Sequence, residues 1–392
     1  MKDRQKMKLY KRTWAEIDLD RLKHNYTVYR SKIAEGTEIM CVVKASCYGH
    51  SDCAAVPYMQ DELGVKWFAV SNLDEAVRLR GMGITGEILI LGYTAPEDAE
   101  ELVKYNIIQA ILTVDHAKEL NENAVGGRVR CHAAIDTGMS RIGLRGTTQE
   151  IAAQLAEIDA MDRLCLEGAF THYAVADTLT DEAQDFTKAQ TDKFFAAVDE
   201  AERLGVRLDK VHTLNSAGGL YHYTERSKLA RLGIILYGLK PDYDLDLPID
   251  IKPVLSLKSV VSQVKTISAG ETVSYGRTYT AGHDVKIATV ACGYADGYPR
   301  ALSNCGEILV NGVRCPIVGR VCMDQFMCDV TNAEVKPGDV VTLIGEDGGE
   351  AITSDDIAQL TGTIGYEIVC GISERVPRAA FLGGKLVGTY KL

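Results

Sequence analysis

The chain contains no apolar run long enough to cross a bilayer, which excludes an ordinary membrane-spanning helix. It also lacks a basic excess. Lys plus Arg total 43 against 54 for Asp plus Glu, a net charge of -11, so there is no footprint for nucleic acid or an anionic membrane. The start, Met1 to Arg12, is basic but has no apolar signal core. No long internal repeat or low-complexity tract interrupts the sequence. The eleven cysteines are an odd count in a long chain, which argues against a disulfide framework. Cys41, Cys131 and Cys292 sit in apolar runs as small hydrophobes, and Cys322 with Cys328 is too isolated to suggest zinc, so no metal site is expected. A reducing cytoplasm is the expected compartment, unless the chain is the soluble part of a membrane-anchored parent.

What is present is ordinary soluble composition, 46 % hydrophobic and 25 % charged, over 392 residues, enough for two domains. From Trp14 to about Leu239, short apolar runs alternate with helical patterns. The runs are Ile39–Val43, Trp67–Val70, Ile88–Leu91, Ala110–Leu112, Val129–Ile135, Leu166–Phe170, Val211–Leu214 and Ile234–Tyr237. Leu73–Met82, Ala95–Lys104, Thr148–Ile158 and Thr180–Leu204 read as helices between them. Repeated βα units of this number fit a closed (β/α)8 barrel, with an open doubly wound sheet as the competing reading. After Gly238 the texture changes. Lys240–Pro253, with three prolines and four aspartates, reads as a linker into β-rich sequence from Leu255 to Ile344. Thr353 and Ser354 can cap a helix over Asp355–Leu360. The expected division is a barrel over 12–245 and a mostly β domain over 246–392, joined by an N-terminal strand over 1–11.

Several residues fall where barrel sites form, at the carboxyl ends of strands. Lys44 follows the first strand, and desolvation there would leave a neutral amine able to form a Schiff base. Arg141, in Asp136-Thr137-Gly138-Met139-Ser140-Arg141, could clamp a carboxylate, and His172 ends the sixth strand. Asn215 and Ser216 end the seventh and offer polar donors; Gly218-Gly219 beyond them could present amides to a phosphate, or be a plain turn. Arg231 in an apolar run needs a partner for its charge, and Gly233 would admit close backbone approach.

These segments together resemble the alanine racemase family. The matching pieces are Val42-Val43-Lys44-Ala45 with Tyr48-Gly49-His50, Asp136-Thr137-Gly138-Met139 with Arg141, Phe170-Thr171-His172, Asn215-Ser216, and Arg231 with Gly233. Val273-Ser274-Tyr275-Gly276, Gly293-Tyr294-Ala295-Asp296-Gly297-Tyr298, Gly319-Arg320-Val321-Cys322-Met323-Asp324 and Arg375-Val376-Pro377-Arg378 continue the pattern to near the end of the chain. The resemblance implies a barrel that binds pyridoxal 5'-phosphate and a homodimer whose sites are completed by the partner's β domain. In it, Lys44 resembles the Schiff-base lysine and Tyr275, from the other subunit, the opposite acid/base. Arg231 resembles the arginine facing the pyridine nitrogen, and His172 a histidine behind the cofactor. Tyr48, Ser216, Gly233, Ile234 and Tyr366 look like phosphate anchors, with Asn215 beside them. Arg141 and Met323 look like the substrate carboxylate grip, and Tyr294 and Asp324 like residues of the entrance.

Two departures from the family pattern stand out. The family often has a carbamylated lysine two residues before the Asp136 position, where this chain has Ala134, so Arg141 would need another anion such as a bound chloride. Ser46-Cys47 and Gly365 are also unusual. The expected reaction is racemisation of a small amino acid, alanine ahead of serine. A barrel-type decarboxylase and a non-catalytic cofactor-binding protein are the alternatives of other classes.

Overall fold

The computed structural model describes Leu9 and residues 11–391. The strand expected over 1–11 lies outside the described residues, apart from Leu9 and Lys11. The first observed strand, β1, is Thr13–Asp18. Eight more follow: β2 (Glu38–Val42), β3 (Trp67–Val70), β4 (Glu87–Ile90), β5 (Ile108–Ile111), β6 (Val129–Ala134), β7 (Leu164–Phe170), β8 (Lys210–His212) and β9 (Leu229–Leu232). These eight pair in the order β8-β7-β6-β5-β4-β3-β2-β9, and every pairing within the sheet is parallel. A bridge between Leu214 and Ala230, with the Arg231 amide donating to the Leu214 carbonyl at 3.0 Å, brings the sheet's two edges together. The result is a (β/α)8 barrel. Its strands are apolar and buried, as strands covered on both faces must be.

The eighth strand is not where the apolar pattern places it. Ile234–Tyr237 forms a 3-10 turn after Gly233, and the strand is the preceding Leu229–Leu232. A four-residue apolar run fits a buried strand or a buried turn equally well, and the arginine inside Leu229–Leu232 disguised the real strand. The helices are better marked. Asn72 caps Leu73–Gly81, a Thr147/Glu150 capping box opens Thr148–Asp159, and Thr180 caps Asp181–Arg203. Leu19–Arg30, Asp52–Leu63 and Val114–Asn123 are further helices that the pattern did not single out.

Beyond the linker, β10 (Leu255–Ile267) begins the mostly β domain. β1 lies inside that domain's sheet, antiparallel to β10 on one side and parallel to Arg378–Leu382 on the other. The sheet is thus sewn from both ends of the chain. The expected helix appears as Ser354–Thr361, capped by Thr353, and a second one, Gly365–Cys370, follows it. Among the described residues no helix is long and apolar enough to cross a membrane.

Arg378 locks the barrel to the β domain. It is 0 % exposed and donates to the carbonyls of Gly49 at 2.9 Å, Ser373 at 2.7 Å, and Val376 and Ile372 at 2.6 Å. Four backbone acceptors, three from the β domain's final turn and one from the barrel's first loop, share one guanidinium. Replacing Arg378 with Met would fill the space but strand those carbonyls, each at about 1–3 kcal/mol. The expected outcome is a loss of about 3 kcal/mol or more, read as a lowered denaturation midpoint. A variant as stable as the parent would show that the four bonds are replaceable.

Candidate active site

Lys44 stands two residues beyond β2, and the chain after it does something unusual. Ala45, Ser46, Cys47 and Tyr48 have φ of 50°, 50°, 59° and 53°, a left-handed turn without a glycine until Gly49 at 80°. Each such residue costs about 1–2 kcal/mol. The turn closes its own hydrogen bonds, Cys47 amide to Val43 carbonyl and Gly49 amide to Ala45 carbonyl, both 2.9 Å. Gly49 must be glycine, since a Cβ there would lie 2.2 Å from the Val369 carbonyl oxygen. The helix Leu73–Gly81 holds the turn from outside. Glu75 accepts the Ala45 and Ser71 amides, each at 2.7 Å, and Arg78 donates at 2.7 Å to Asp52, whose carboxylate also takes the Ser46 hydroxyl at 3.3 Å.

Arg231, on β9, is 2 % exposed and has no carboxylate partner. It donates to the carbonyls of Thr171 (2.7 Å), Thr213 (3.1 Å) and His212 (3.2 Å), and to Nδ1 of His212 at 2.7 Å. Because arginine only donates, His212 Nδ1 must accept, so its proton is on Nε2. That proton goes to Nδ1 of His132 at 3.0 Å. The tautomers of two buried histidines follow from one cation. Arg231 also lies 3.4 Å from His172 Nδ1. Burial, then the Arg231, Arg141 and Lys44 charges, hold His172 down to about 3; burial and Arg231 keep His212 well below the usual range. Burial, with a further push from the Arg141 charge, lowers Arg231 to about 10, which leaves it charged at neutral pH.

Lys44, Arg141 and His172 meet around a cavity of about 290 Å³ whose other walls include Leu91, Met139 and Phe170. Burial and the Arg141 charge lower the Lys44 pKa, with Glu75 opposing them. Asp136 holds the Arg141 loop by accepting the amides of Gly138 (3.0 Å) and Ser140 (2.9 Å), and pairs with Arg145 at 3.3 Å. Ala134 lines the same cavity and brings no charge to Arg141. A larger cavity of about 540 Å³, between Tyr237–Lys240 and Thr353–Asp356, gathers none of the expected site residues.

Beside Lys44, the hydroxyls of Tyr48 and Ser216 converge on Gly233. A Cβ there would lie 3.0 Å from the Tyr48 oxygen and 3.6 Å from Ser216 Oγ, which already accepts the Gly233 amide at 2.9 Å. The Tyr366 ring, from the β domain, packs 6.2 Å from that of Tyr48, and Ile234 follows Gly233. This side-chain-free notch edged by hydroxyls suits a phosphate, and with a buried cation and a lysine of lowered pKa it suits pyridoxal phosphate. Asn215 is otherwise engaged. Its Oδ1 accepts the Gly218 amide at 2.7 Å as a helix cap, which occupies the Gly218 amide.

Tyr275, Met323, Tyr294 and Asp324 are elsewhere. They cluster on the β domain, where Ser274 bonds the Arg320 carbonyl at 2.8 Å and the Tyr294 amide bonds the Cys322 carbonyl at 3.0 Å. Asp324 pairs with Arg375 at 2.9 Å. Tyr275 is 73 % exposed and Met323 53 %. Neither lines the Lys44 cavity. The structure therefore brings Lys44, Arg141 and His172 to one cavity and Tyr48, Ser216 and Gly233 to one notch, and leaves a second, exposed group on the β domain. Sequence reasoning missed Glu75, His132 and His212. Glu75 carried no signal beyond its place in a helix's first turn, whereas His212, at the end of a barrel strand, could have been found by position.

The alanine racemase N-terminal domain model matches residues 17–241 and the alanine racemase C-terminal domain model residues 254–380. An alanine racemase of Halothermothrix orenii is 41 % identical, over 93 % of this chain and 96 % of that one. The crystal structure of alanine racemase from Bacillus anthracis with bound L-Ala-P superposes with a TM-score of 0.92 at 38 % identity, covering 98 % of this chain and 99 % of that one. A histidine racemase from Leuconostoc mesenteroides reaches 0.86 at 30 % identity, covering 96 % and 99 %.

The charge arrangement around Arg231 has a direct spectroscopic consequence. His132 and His172, both held near 3, and His212 should stay neutral, with ring nitrogen shifts flat from pH 5 to pH 8. Their ordinary value is 6.5, so below it the unfolded chain takes up protons that the fold refuses. Stability should accordingly fall as pH drops through 6.5. A ring titrating near 6.5 at any of the three would contradict the buried-cation account.

Proposed function

This chain belongs to the alanine racemase family, and from that premise we propose that it interconverts L- and D-alanine using pyridoxal 5'-phosphate held in the mouth of the barrel. The observation that carries the reading is that Lys44, of lowered pKa, shares a cavity with Arg141 and with His172, which the buried Arg231 touches, while the turn after Lys44 carries Tyr48 to the notch at Gly233. We take 12–245, less the strand Thr13–Asp18 that belongs to the β-domain sheet, as the cofactor-binding barrel, and 246–392 with that strand as the domain that completes a partner's site.

Lys44 would hold the cofactor covalently; Tyr48, Ser216, Gly233, Ile234 and Tyr366 would take its phosphate, and Arg231 would face its ring nitrogen. Bound there, pyridoxal phosphate supplies the electron sink that acidifies the α-hydrogen of an amino acid. The chain's residues do the rest. Inversion needs one group on each side of the α-carbon, one removing a proton and the other returning it. Lys44, neutral once released, serves the D face. Tyr275 serves the L face, and its 73 % exposure suits a phenol that works in another copy's site. Arg141 and the Met323 backbone grip the substrate carboxylate, with Tyr294 and Asp324 at the entrance. With no anion beside it from Ala134, Arg141 is free to take a chloride or the substrate itself. Arg231 has its two terminal nitrogens committed to three carbonyls and His212, and an arginine has no acidic proton to give at neutral pH. Facing the ring nitrogen of a bound cofactor, it would leave that nitrogen unprotonated and so favour return of the proton over side reactions.

Tyr275→Phe should lower racemisation about a hundredfold to ten-thousandfold. D-Alanine should still exchange its α-hydrogen with solvent deuterium through Lys44. Equal loss of exchange from both enantiomers would contradict the assignment of faces. Mixing and reassembling Lys44→Ala with Tyr275→Phe, each inactive alone, should restore about a quarter of parental activity, one intact site per mixed dimer. No restoration would place both groups on one chain. Arg231→Glu should raise transamination relative to racemisation, and an unchanged product partition would remove Arg231 from that role. Rates on alanine, serine and histidine of both hands then rank the substrates.

A further inference from the structure

Glu75 lies on the second shoulder of the barrel, with no place in the roles above, yet it touches the segment that aims Lys44. The residue after Lys44 opens a left-handed turn, and its amide has a single acceptor, Glu75 Oε1 at 2.7 Å. The other oxygen takes the Ser71 amide at 2.7 Å, where β3 gives way to the helix carrying Glu75. That helix is itself pinned, because Asn72 accepts the Glu75 amide at 3.0 Å. One carboxylate therefore joins the ends of two neighbouring barrel strands and fixes the first residue of a turn whose φ values no local preference favours.

We propose that Glu75 is a positioning residue for Lys44, tying the left-handed turn to the third strand's end and keeping a fixed negative charge beside the amine. The inference rests on the reading of Lys44 as the imine-forming lysine. The groups around that amine are Arg141 from the loop after β6, His172 after β7, Cys370 from Gly365–Cys370, and Glu75. His172 is neutral, Arg141 pushes Lys44 toward its neutral form, and Glu75 opposes it. Glu75 is thus the carboxylate that limits how far burial and Arg141 lower the amine. Two separable functions follow, one of charge and one of reach.

The test uses the full-length chain stripped of cofactor and the rate at which it combines with pyridoxal phosphate, followed by absorbance from pH 6 to 10, with the adduct located at Lys44 by borohydride reduction and peptide mass spectrometry. Glu75→Gln keeps the size and removes the charge, so the midpoint of the pH profile should fall by about one unit. Glu75→Asp keeps the charge but draws it back by one methylene, out of reach of both amides. It should leave the midpoint near the parent's and slow combination about tenfold or more. The Asp variant also stands alone should the Gln variant not fold. A purely structural role would change melting temperature in both and move neither readout in this crossed pattern. If the parent forms no adduct at Lys44, the active-site reading falls and this inference with it. If the parent forms one and the midpoint of Glu75→Gln matches it, or Asp combines as fast as the parent, this inference alone is overturned.

Discussion

A guanidinium buried in the barrel without a carboxylate sets the electrical conditions for everything near it. A buried charge is tolerated only when hydrogen bonds replace its lost water, and Arg231 places both terminal nitrogens on three carbonyls and a ring nitrogen. Satisfying the cation with neutral acceptors leaves its positive field uncancelled. Burial keeps His172 and His212 unprotonated, and that field, which reaches both, reinforces it. The carbonyls come from the ends of β7 and β8 and the residues just beyond, so the arginine also fixes the barrel mouth where the site opens.

The residues of interest fall in two groups that lie apart within one chain. The barrel group is enclosed and fixed by short bonds. The other is an exposed face carrying Tyr275, Met323 and Tyr294, held in shape from behind by Ser274 on Arg320 and by the buried Asp296, which pairs with Arg12 at 2.7 Å. Arg12 immediately precedes β1. The same short segment that starts the chain therefore stiffens the exposed face and threads the β-domain sheet. Large aromatic side chains on a rigid but open surface are what a second protein surface covers.

How much of this was legible in the sequence depends on the kind of force involved. The barrel strands were readable because burial on both faces makes them continuously apolar, and the long helices because capping residues mark their starts. Ile234–Tyr237 was misread because hydrophobicity reports burial, not backbone conformation. The left-handed turn after Lys44 was invisible for a related reason. Ala-Ser-Cys-Tyr contains nothing that prefers positive φ, and the conformation is imposed by tertiary bonds from Glu75 and Arg78. Lys44, His172 and Arg231 were found because strand ends in a barrel are where chemistry collects. Tyr275 was singled out only through family resemblance; its position beside turn residues says nothing about what it faces. Asn215 shows what position alone does not reveal, since its Oδ1 caps the next helix.

The division into two groups also bears on substrate choice. The fold is shared with a histidine racemase at 30 % identity, so the barrel by itself does not specify the side chain accepted. In the proposed reading, Lys44, Arg141 and the notch at Gly233 would address groups common to every amino acid substrate with the cofactor: the amine, the carboxylate and the phosphate. Discrimination must come from whatever meets the side chain, and the barrel cavity offers Leu91, Met139, Ile142 and Phe170 there. Apolar walls of this kind exclude by volume and reject an added hydroxyl only weakly. In the proposed pairing, the face bearing Tyr275 and Met323 would supply the remaining wall from a second copy covering the mouth. Pairing of copies would then bring in the proposed second proton-transfer group and close the space for the side chain in a single step.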